Sequence, residues 1–319
     1  MEFKDIKKML FLRYDGKLGD YIVTSWVYSE IKRQRPDIQI DVVGISKNEN
    51  LFLNNRNIDK FYKLKKSKKI FMYLLAKKLR VENYDVLIDP TEILRDRDLF
   101  FIKNIYAKIN FGYDKGNIDI FNKNINKNSK TMVDVYKEIL KDLGFSDLDS
   151  SYEIPIDISS EKRVDEYLKS NKINKYIAIN FFGAGKRRKF TAEKALELLE
   201  KVQKKYSEHK IIILNSPKDK KVIFKINKGV SKINNPRTIY YNENFKTIHD
   251  VISLIKKSDI VISPDTAVVH IASGLKKNII AFYAQNKANY EKWGLPIDEG
   301  KNKIYFYKEN INDVDITLF

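Results

Sequence analysis

The sequence contains no cysteine and only three histidines, His209, His249 and His270, set far apart. These absences exclude disulfides, thiolate metal sites, a cysteine nucleophile and a histidine-rich metal centre. Long apolar runs are missing too: no stretch approaches the roughly 18 uncharged residues that a membrane-spanning helix needs. The opening residues Met1 to Lys8 are charged and no signal-peptide core follows them, so a cytoplasmic location is expected. There is no short solenoid-type repeat and no low-complexity segment to interpret.

What is present points to a two-domain globular chain. At 319 residues it exceeds one ordinary core, domains running at roughly 100 to 200 residues each. Hydrophobic residues make up 43% and aromatics 12%, with 19 Tyr and 18 Phe, enough apolar surface to fill both cores. The net charge of +18 speaks about partners rather than fold. It either draws a polyanion or an anionic membrane face, or it is the solvated surface of a Lys-, Asn- and Ile-rich composition.

Strand and helix patterns alternate along the chain. Met9–Tyr14 reads as a buried strand, Asp15–Asp20 as a turn, and about Tyr21 to Arg35 as an amphipathic helix stopped by Pro36. With Ile38–Val43 as the next strand, this is a βαβ unit and implies a parallel sheet. Val86–Asp89 and Ile109–Gly112 continue as strands, Asp98–Ala107 and Met132–Leu143 as helices. The periodicity lapses over Ser150–Ser160, where a proline and small polar residues mark a connection between domains. Strands then recur at Tyr176–Phe181, Ile211–Leu214, Ile260–Ser263 and Ile279–Phe282, and helices at Ala192–Tyr206, Ile248–Lys257 and His270–Leu275. The expected fold class is α/β, with two Rossmann-like, doubly wound parallel-sheet lobes.

In such sheets ligands bind beyond the carboxyl ends of strands, where loops enter helices whose first N–H groups are free and partly positive. Three loops of this kind carry candidate chemistry. In the first, Gly16 and Gly19 permit a tight turn, and Asp20 arrives at the helix start as an N-cap, as a carboxylate general base, or as both. In the second, Asn180–Lys189 (NFFGAGKRRK), four consecutive cations beside two glycines suit a phosphate, or equally a solvated basic turn. Neither familiar phosphate fingerprint fits: Arg187 stands where a Walker loop needs Ser or Thr, and Arg188 where the dinucleotide motif needs Gly. In the third, Ser263–His270 (SPDTAVVH), Asp265 and Thr266 are able to cap a helix and aim the N–H groups of Thr266, Ala267 and Val268 at an anion. His270, one turn on, is either a core histidine or a contact to the same ligand.

At these three loops the sequence resembles glycosyltransferase family 9, the ADP-heptose:lipopolysaccharide heptosyltransferases. The first strand with Gly16-Lys17-Leu18-Gly19-Asp20 is similar to the family's strand and G-x-x-G-D turn. Ser263-Pro264-Asp265-Thr266 with His270 is similar to its [GS]-x-D-[TS]-G-x-x-H signature, and Trp293-Gly294 follows within Tyr290–Pro296. The resemblance implies a GT-B fold with lobes facing across a cleft: an acceptor-binding N-terminal domain over 1–155 and a nucleotide-sugar-binding C-terminal domain over 156–319. By the same resemblance Asp20 corresponds to the catalytic base and Lys189 to a contact with the donor phosphates. Asp265, Thr266, Ala267, Val268 and His270 correspond to the donor-binding loop, and Asp219 falls near an acidic contact to the donor ribose. Ala267 replaces the family's usual Gly, and Thr131 stands where many members carry histidine.

The activity so implied is inverting transfer of a sugar, from a nucleotide-sugar donor such as ADP-heptose, to a lipopolysaccharide core acceptor. No cofactor is implied, and metal independence is expected although Asp-x-Asp triplets occur at Asp96–Asp98, Asp147–Asp149 and Asp313–Asp315. An anionic, lipid-linked acceptor also implies peripheral attachment to the inner membrane face. Arg95, Arg97 and Lys115 are candidate acceptor contacts, or solvated helix charges. Two rival classes are a basic nucleic-acid-binding protein tracking phosphates with Lys60–Lys69 and Arg95–Lys115, and a nucleotide-dependent oxidoreductase. No helix-turn-helix, zinc or RNP pattern supports the first, and the failed glycine fingerprint opposes the second.

Overall fold

The structure is a computed structural model that describes residues 2–14, 16–46, 49–65, 69–127, 131–214, 219–230, 239–241, 245, 247–285, 287–295 and 301–316. Asp15 of the first turn, Lys66 and Lys68 of the basic run and Pro296 lie outside the described residues. The chain divides into two units, Met1–Pro155 and Ile156–Phe319.

The first unit is built on six strands, β1 (Lys8–Arg13), β2 (Gln39–Gly44), β3 (Lys60–Lys63), β4 (Val86–Asp89), β5 (Ile109–Tyr113) and β6 (Lys123–Ile125). They lie in the order β3-β2-β1-β4-β5-β6, and every adjacent pair is parallel. Helices α1 (Leu18–Val23), α2 (Trp26–Gln34), α3 (Glu49–Leu53), α4 (Lys69–Arg80), α5 (Asp96–Ile105) and α6 (Met132–Asp142) accompany them. The second unit repeats the plan with β7 (Tyr176–Asn180), β8 (Lys210–Leu214), β9 (Ile239–Tyr241), β10 (Ile260–Pro264), β11 (Asn278–Ala284) and β12 (Asn302–Tyr307). Their order is β12-β11-β10-β7-β8-β9, again all parallel. Its helices are α7 (Ile158–Ser170), α8 (Ala192–Lys205), α9 (Lys220–Val230), α10 (Ile248–Lys257), α11 (Ala267–Gly274) and α12 (Lys287–Trp293).

Counted within each unit, both sheets have the doubly wound order 3-2-1-4-5-6, whose direction reverses between the first and fourth strands. The reversal points are β1/β4 and β7/β10, the places where sheets of this order commonly bind ligands. The strands read as near-continuous apolar runs because helices cover both faces. In the first unit Leu10, Leu12 and Leu87 pack with Met72, Ala76 and Leu79 of α4 and with Phe101, Ile102 and Ile105 of α5. In the second, Ile177, Ile179, Ile211 and Ile213 pack with Leu198, Leu199 and Val202 of α8 and with Ile223 and Ile226 of α9. Each fully buried side chain of this size contributes about 1.5–3 kcal/mol.

Several elements differ from the sequence expectation. The single helix expected over Tyr21–Arg35 starts earlier, at Leu18, and is broken in two. At the break the Thr24 hydroxyl donates to the Asp20 carbonyl at 2.8 Å and the Ser25 hydroxyl to the Ile22 carbonyl at 2.7 Å. Side-chain hydroxyls compete there with the helical ladder, and Ser25 Oγ also accepts the backbone N–H of Glu153 at 2.8 Å. The connection expected over Ser150–Ser160 ends sooner, because Asp157 caps α7 by accepting the Ser160 N–H. Helix α11 begins at Ala267, three residues before the expected start. Elements α3, α4, α7, α9, α12, β3, β6, β9 and β12 add to the expected set.

Candidate active site

In the second unit the second and third candidate loops meet at the β7/β10 reversal point. Asn180, the last residue of β7, donates from Nδ2 to Ser263 Oγ at 3.0 Å and to Thr266 Oγ1 at 3.2 Å. The Ser263 and Thr266 hydroxyls lie 3.1 Å apart, so the ends of two neighbouring strands are tied to the start of α11. Thr266 is the N-cap, its Oγ1 accepting the Val268 N–H at 3.3 Å. Of the three N–H groups expected to face an anion, that of Val268 is therefore taken by the cap.

The basic loop after β7 is folded back on itself. Phe190 N donates to the Phe181 carbonyl at 3.0 Å, Gly183 N donates to the Arg188 carbonyl at 2.9 Å, and Phe182 and Lys189 form an antiparallel bridge. Glycine is required at 183 because a Cβ there would stand 2.4 Å from the Arg188 carbonyl oxygen. Gly185 turns the tip with φ +85°, in the left-handed region that favours glycine. Asn312 fastens the base of the loop, donating to the Lys189 carbonyl at 3.1 Å and accepting the Thr191 N–H at 2.7 Å. Residues far apart in sequence thus hold the loop against the carboxyl edge of the sheet.

Two of the four loop cations are drawn inward by acids. Arg188 pairs with Asp265 at 3.2 Å, and Lys189 pairs with Asp219 at 3.1 Å. Asp219 is buried and Asp265 nearly so, with side-chain exposures of 7% and 11%, while their cations Lys189 and Arg188 are 40% and 42% exposed. The acids fix where the positive groups stand while their outer faces stay in solvent. Asp265, Lys189 and Asp219 were singled out from the sequence. Arg188, Asn180 and Ser263 were not, although the run of four cations and the polar end of an apolar strand were the available signals. His270, on the fourth residue of α11, is buried, and desolvation pushes its imidazole down to about 4. It is neutral at physiological pH and contributes no charge to an anion site.

In the first unit Asp20 is the third residue of α1, with Lys17 at the N-cap position. It is thus not the N-cap that its place in the turn suggested. Its carboxylate lies in the first turn, where the helix end favours negative charge, at 3.7 Å from Lys17 Nζ and with 16% of the side chain exposed. Arg13, buried at the end of the adjoining β1, donates from Nη1 to Tyr136 Oη at 3.3 Å. Arg95 is exposed just before α5, and Arg97 lines a groove of about 550 Å³ with Lys69, Ile70, Tyr73, Asp96 and Phe100. Lys115 departs from its expected role as an acceptor contact. Its ammonium is buried and donates to Asp89 Oδ2 at 2.6 Å, to the Asp89 carbonyl at 3.2 Å and to Thr91 Oγ1 at 3.4 Å. This cation neutralises the buried carboxylate that ends β4 and has no face left for a ligand. Thr131, at the position where histidine was noted in the family, caps α6 in a reciprocal pair with Asp134.

Among the described residues, no group of three or more His, Asp or Glu side chains is arranged to hold a metal ion. Asp96 and Asp98 of the first Asp-x-Asp triplet stand in the first turn of α5, where they complement its positive end. No described helix is long and apolar enough to cross a membrane.

Two Rossmann-like parallel-sheet units in one chain, each with a strand-order reversal, make a fold of the GT-B type. Residues 72–314 match the profile of glycosyltransferase family 9 (heptosyltransferase). The chain belongs to that family and is a glycosyltransferase. The putative lipopolysaccharide heptosyltransferase 4 of Escherichia coli strain K12 is 26% identical over 287 residues, covering 88% of this chain and 76% of its own. Among solved structures, a family 9 glycosyltransferase of Veillonella parvula superposes with a TM-score of 0.77 at 19% identity, over 97% of this chain and 87% of its own. The E. coli heptosyltransferase WaaC with ADP-2-deoxy-2-fluoro heptose superposes with a TM-score of 0.69 at 14% identity, over 93% and 92%.

Proposed function

We propose that this enzyme transfers heptose from ADP-heptose to a lipopolysaccharide or lipooligosaccharide core acceptor, with inversion and without a metal ion. The observation that carries the reading is the meeting of Arg188, Lys189 and the capped start of α11 at one edge of the second sheet. A diphosphate placed there meets two cations and a positive helix end, the requirements for binding it and for stabilising it as a leaving group. These fixed positive groups supply the charge neutralisation that other sugar transferases take from a divalent ion. In this reading Asp219, beside Lys189, accepts from a ribose hydroxyl. The binding of ADP-2-deoxy-2-fluoro heptose by WaaC supports the donor assigned here.

In the reaction the Asp20 carboxylate takes the proton of an acceptor hydroxyl. The oxygen's electron pair forms the new bond to the anomeric carbon as the bond from that carbon to the phosphate oxygen breaks. ADP departs with the added negative charge, which Arg188, Lys189 and the α11 N-terminus stabilise. Attack opposite the leaving group inverts the anomeric centre. In this reading Arg95 and Arg97 meet acidic groups of the acceptor. The enzyme acts in the cytoplasm and attaches peripherally to the inner membrane, where its lipid-linked acceptor resides.

Asp20→Asn tests the base. Loss of a general base costs about 10²- to 10⁴-fold in turnover, and the ADP affinity measured by calorimetry should be unchanged. Turnover at the wild-type rate removes Asp20 from the mechanism. A thermal-shift panel of ADP, UDP and GDP tests the donor: at 100 times its Kd the right nucleotide stabilises by about 2.7 kcal/mol. A response to UDP or GDP in place of ADP refutes the assignment, and activity abolished by EDTA refutes metal independence.

A further inference from the structure

Helix α4 carries apolar residues on two opposite sides. Met72, Ala76 and Leu79 face the core of the first unit and are buried. Directly opposite, at helical spacings of four, seven and eleven, stand Ile70, Leu74, Lys77 and Val81. Ile70 is 54% exposed, Leu74 55% and Val81, just past the helix end, 76%. Phe71 and, on neighbouring α5, Phe100 widen the exposed apolar strip, and Phe100 lies against Tyr73 with ring centroids 6.0 Å apart. An exposed apolar strip of this extent, interrupted here by Lys77, marks a surface that another phase or partner covers.

The charge on α4 itself is of one sign, and Asp96 of α5 is the acid that shares the groove with Ile70 and Phe100. Helix α4 contains Lys69, Lys77, Lys78 and Arg80 and no acidic residue. Among the described residues none of these four cations forms an ion pair, whereas nearby Lys8 and Lys60 both pair with Glu82. Lys77 stands 4.8 Å from the Tyr73 ring centre, and Arg80 stands 4.8 Å from that of Tyr106, itself 74% exposed. An apolar stripe flanked by lysine and arginine, with aromatic rings among them, is the pattern of a helix that lies in the headgroup layer of an anionic bilayer. A nucleic acid or an acidic protein would pair with the cations and leave the isoleucine, leucine and valine in water.

We infer that the outer face of α4, continued by Phe100, docks this enzyme on an anionic lipid bilayer. The inference rests on the peripheral attachment proposed above and names the surface that provides it. The helix lies flat, with Ile70, Leu74 and Val81 in the acyl boundary and Lys77, Lys78 and Arg80 against lipid phosphates. None of these residues belongs to the proposed transfer machinery.

Co-sedimentation of the full chain with vesicles of phosphatidylcholine plus phosphatidylglycerol, against phosphatidylcholine alone, tests the inference. Wild-type protein should bind only the anionic vesicles, less tightly as salt rises. Ile70→Gln with Leu74→Gln should weaken binding at least tenfold, and Lys77→Gln with Lys78→Gln about fivefold per lysine. All four positions are on the surface, so the melting temperature and transfer to a delipidated acceptor should be unchanged. If both variants bind like wild type while wild type binds, the surface assignment is overturned and peripheral attachment stands. If wild type ignores both vesicle types, attachment itself fails and the docking assignment with it. If vesicle-free sedimentation shows a wild-type dimer that Ile70→Gln with Leu74→Gln dissociates, a second copy covers the strip and the inference is overturned.

Discussion

Replacement of Lys115 by methionine separates a structural cation from a ligand contact. Asp89 ends β4 fully buried; its Oδ2 accepts Lys115 Nζ at 2.6 Å, and its Oδ1 accepts the Thr91 N–H at 3.2 Å and hydroxyl at 2.8 Å. The same ammonium stands 4.7 Å from the Phe121 ring centre, so methionine retains the packing while the countercharge is removed. Asp89 keeps its Thr91 bonds but becomes an uncompensated buried charge, at a cost of about 3–5 kcal/mol. For a unit of 155 residues, each kcal/mol corresponds to roughly 2–4 °C, so the first unit should melt roughly 6–20 °C lower. Asp89→Asn added to Lys115→Met removes both charges, keeps the Thr91 bonds and should recover at least half of the loss. Differential scanning calorimetry measures the melting, and initial rates give the acceptor KM of each folded variant. A Lys115→Met protein that melts within two degrees of wild type, but shows a strongly raised acceptor KM, would refute the reasoning and return Lys115 to the binding site.

His270 makes the second unit acid-labile. Burial holds its folded pKa down to about 4 against 6.5 in the unfolded chain, so its contribution is complete above pH 6.5 and is lost as pH falls toward 4, by roughly 3 kcal/mol in all. Chemical denaturation at pH 7 and pH 4.5 should show that slope, and His270→Gln should flatten it; equal slopes in the two proteins would contradict the account. Gly183→Ala should distort the basic loop, since the new methyl must move from a carbonyl oxygen 2.4 Å away, at about 1–3 kcal/mol. Calorimetric titration should then show ADP binding weakened by about tenfold; unchanged affinity would mean that the loop conformation does not serve the donor.

The sequence alone carried the α/β class, because apolar strand runs and helical periodicities alternate, and that information is local. Asp265 and Thr266 were legible as capping residues because side chains that cap a helix sit within a few residues of its start, and the family signature pointed to Lys189. Short or amphipathic elements were less legible: α4 is apolar on two sides, and β6 has three residues, too few to show a period. The pairings Arg188–Asp265, Lys189–Asp219 and Asn180–Ser263 join residues 77, 30 and 83 positions apart. Only strand order brings such residues together, and no local pattern encodes strand order. The fate of Lys115 was decided in the same way. A lysine in a basic stretch reads as a surface charge, and it became a core residue because the sheet set the buried Asp89 beside it.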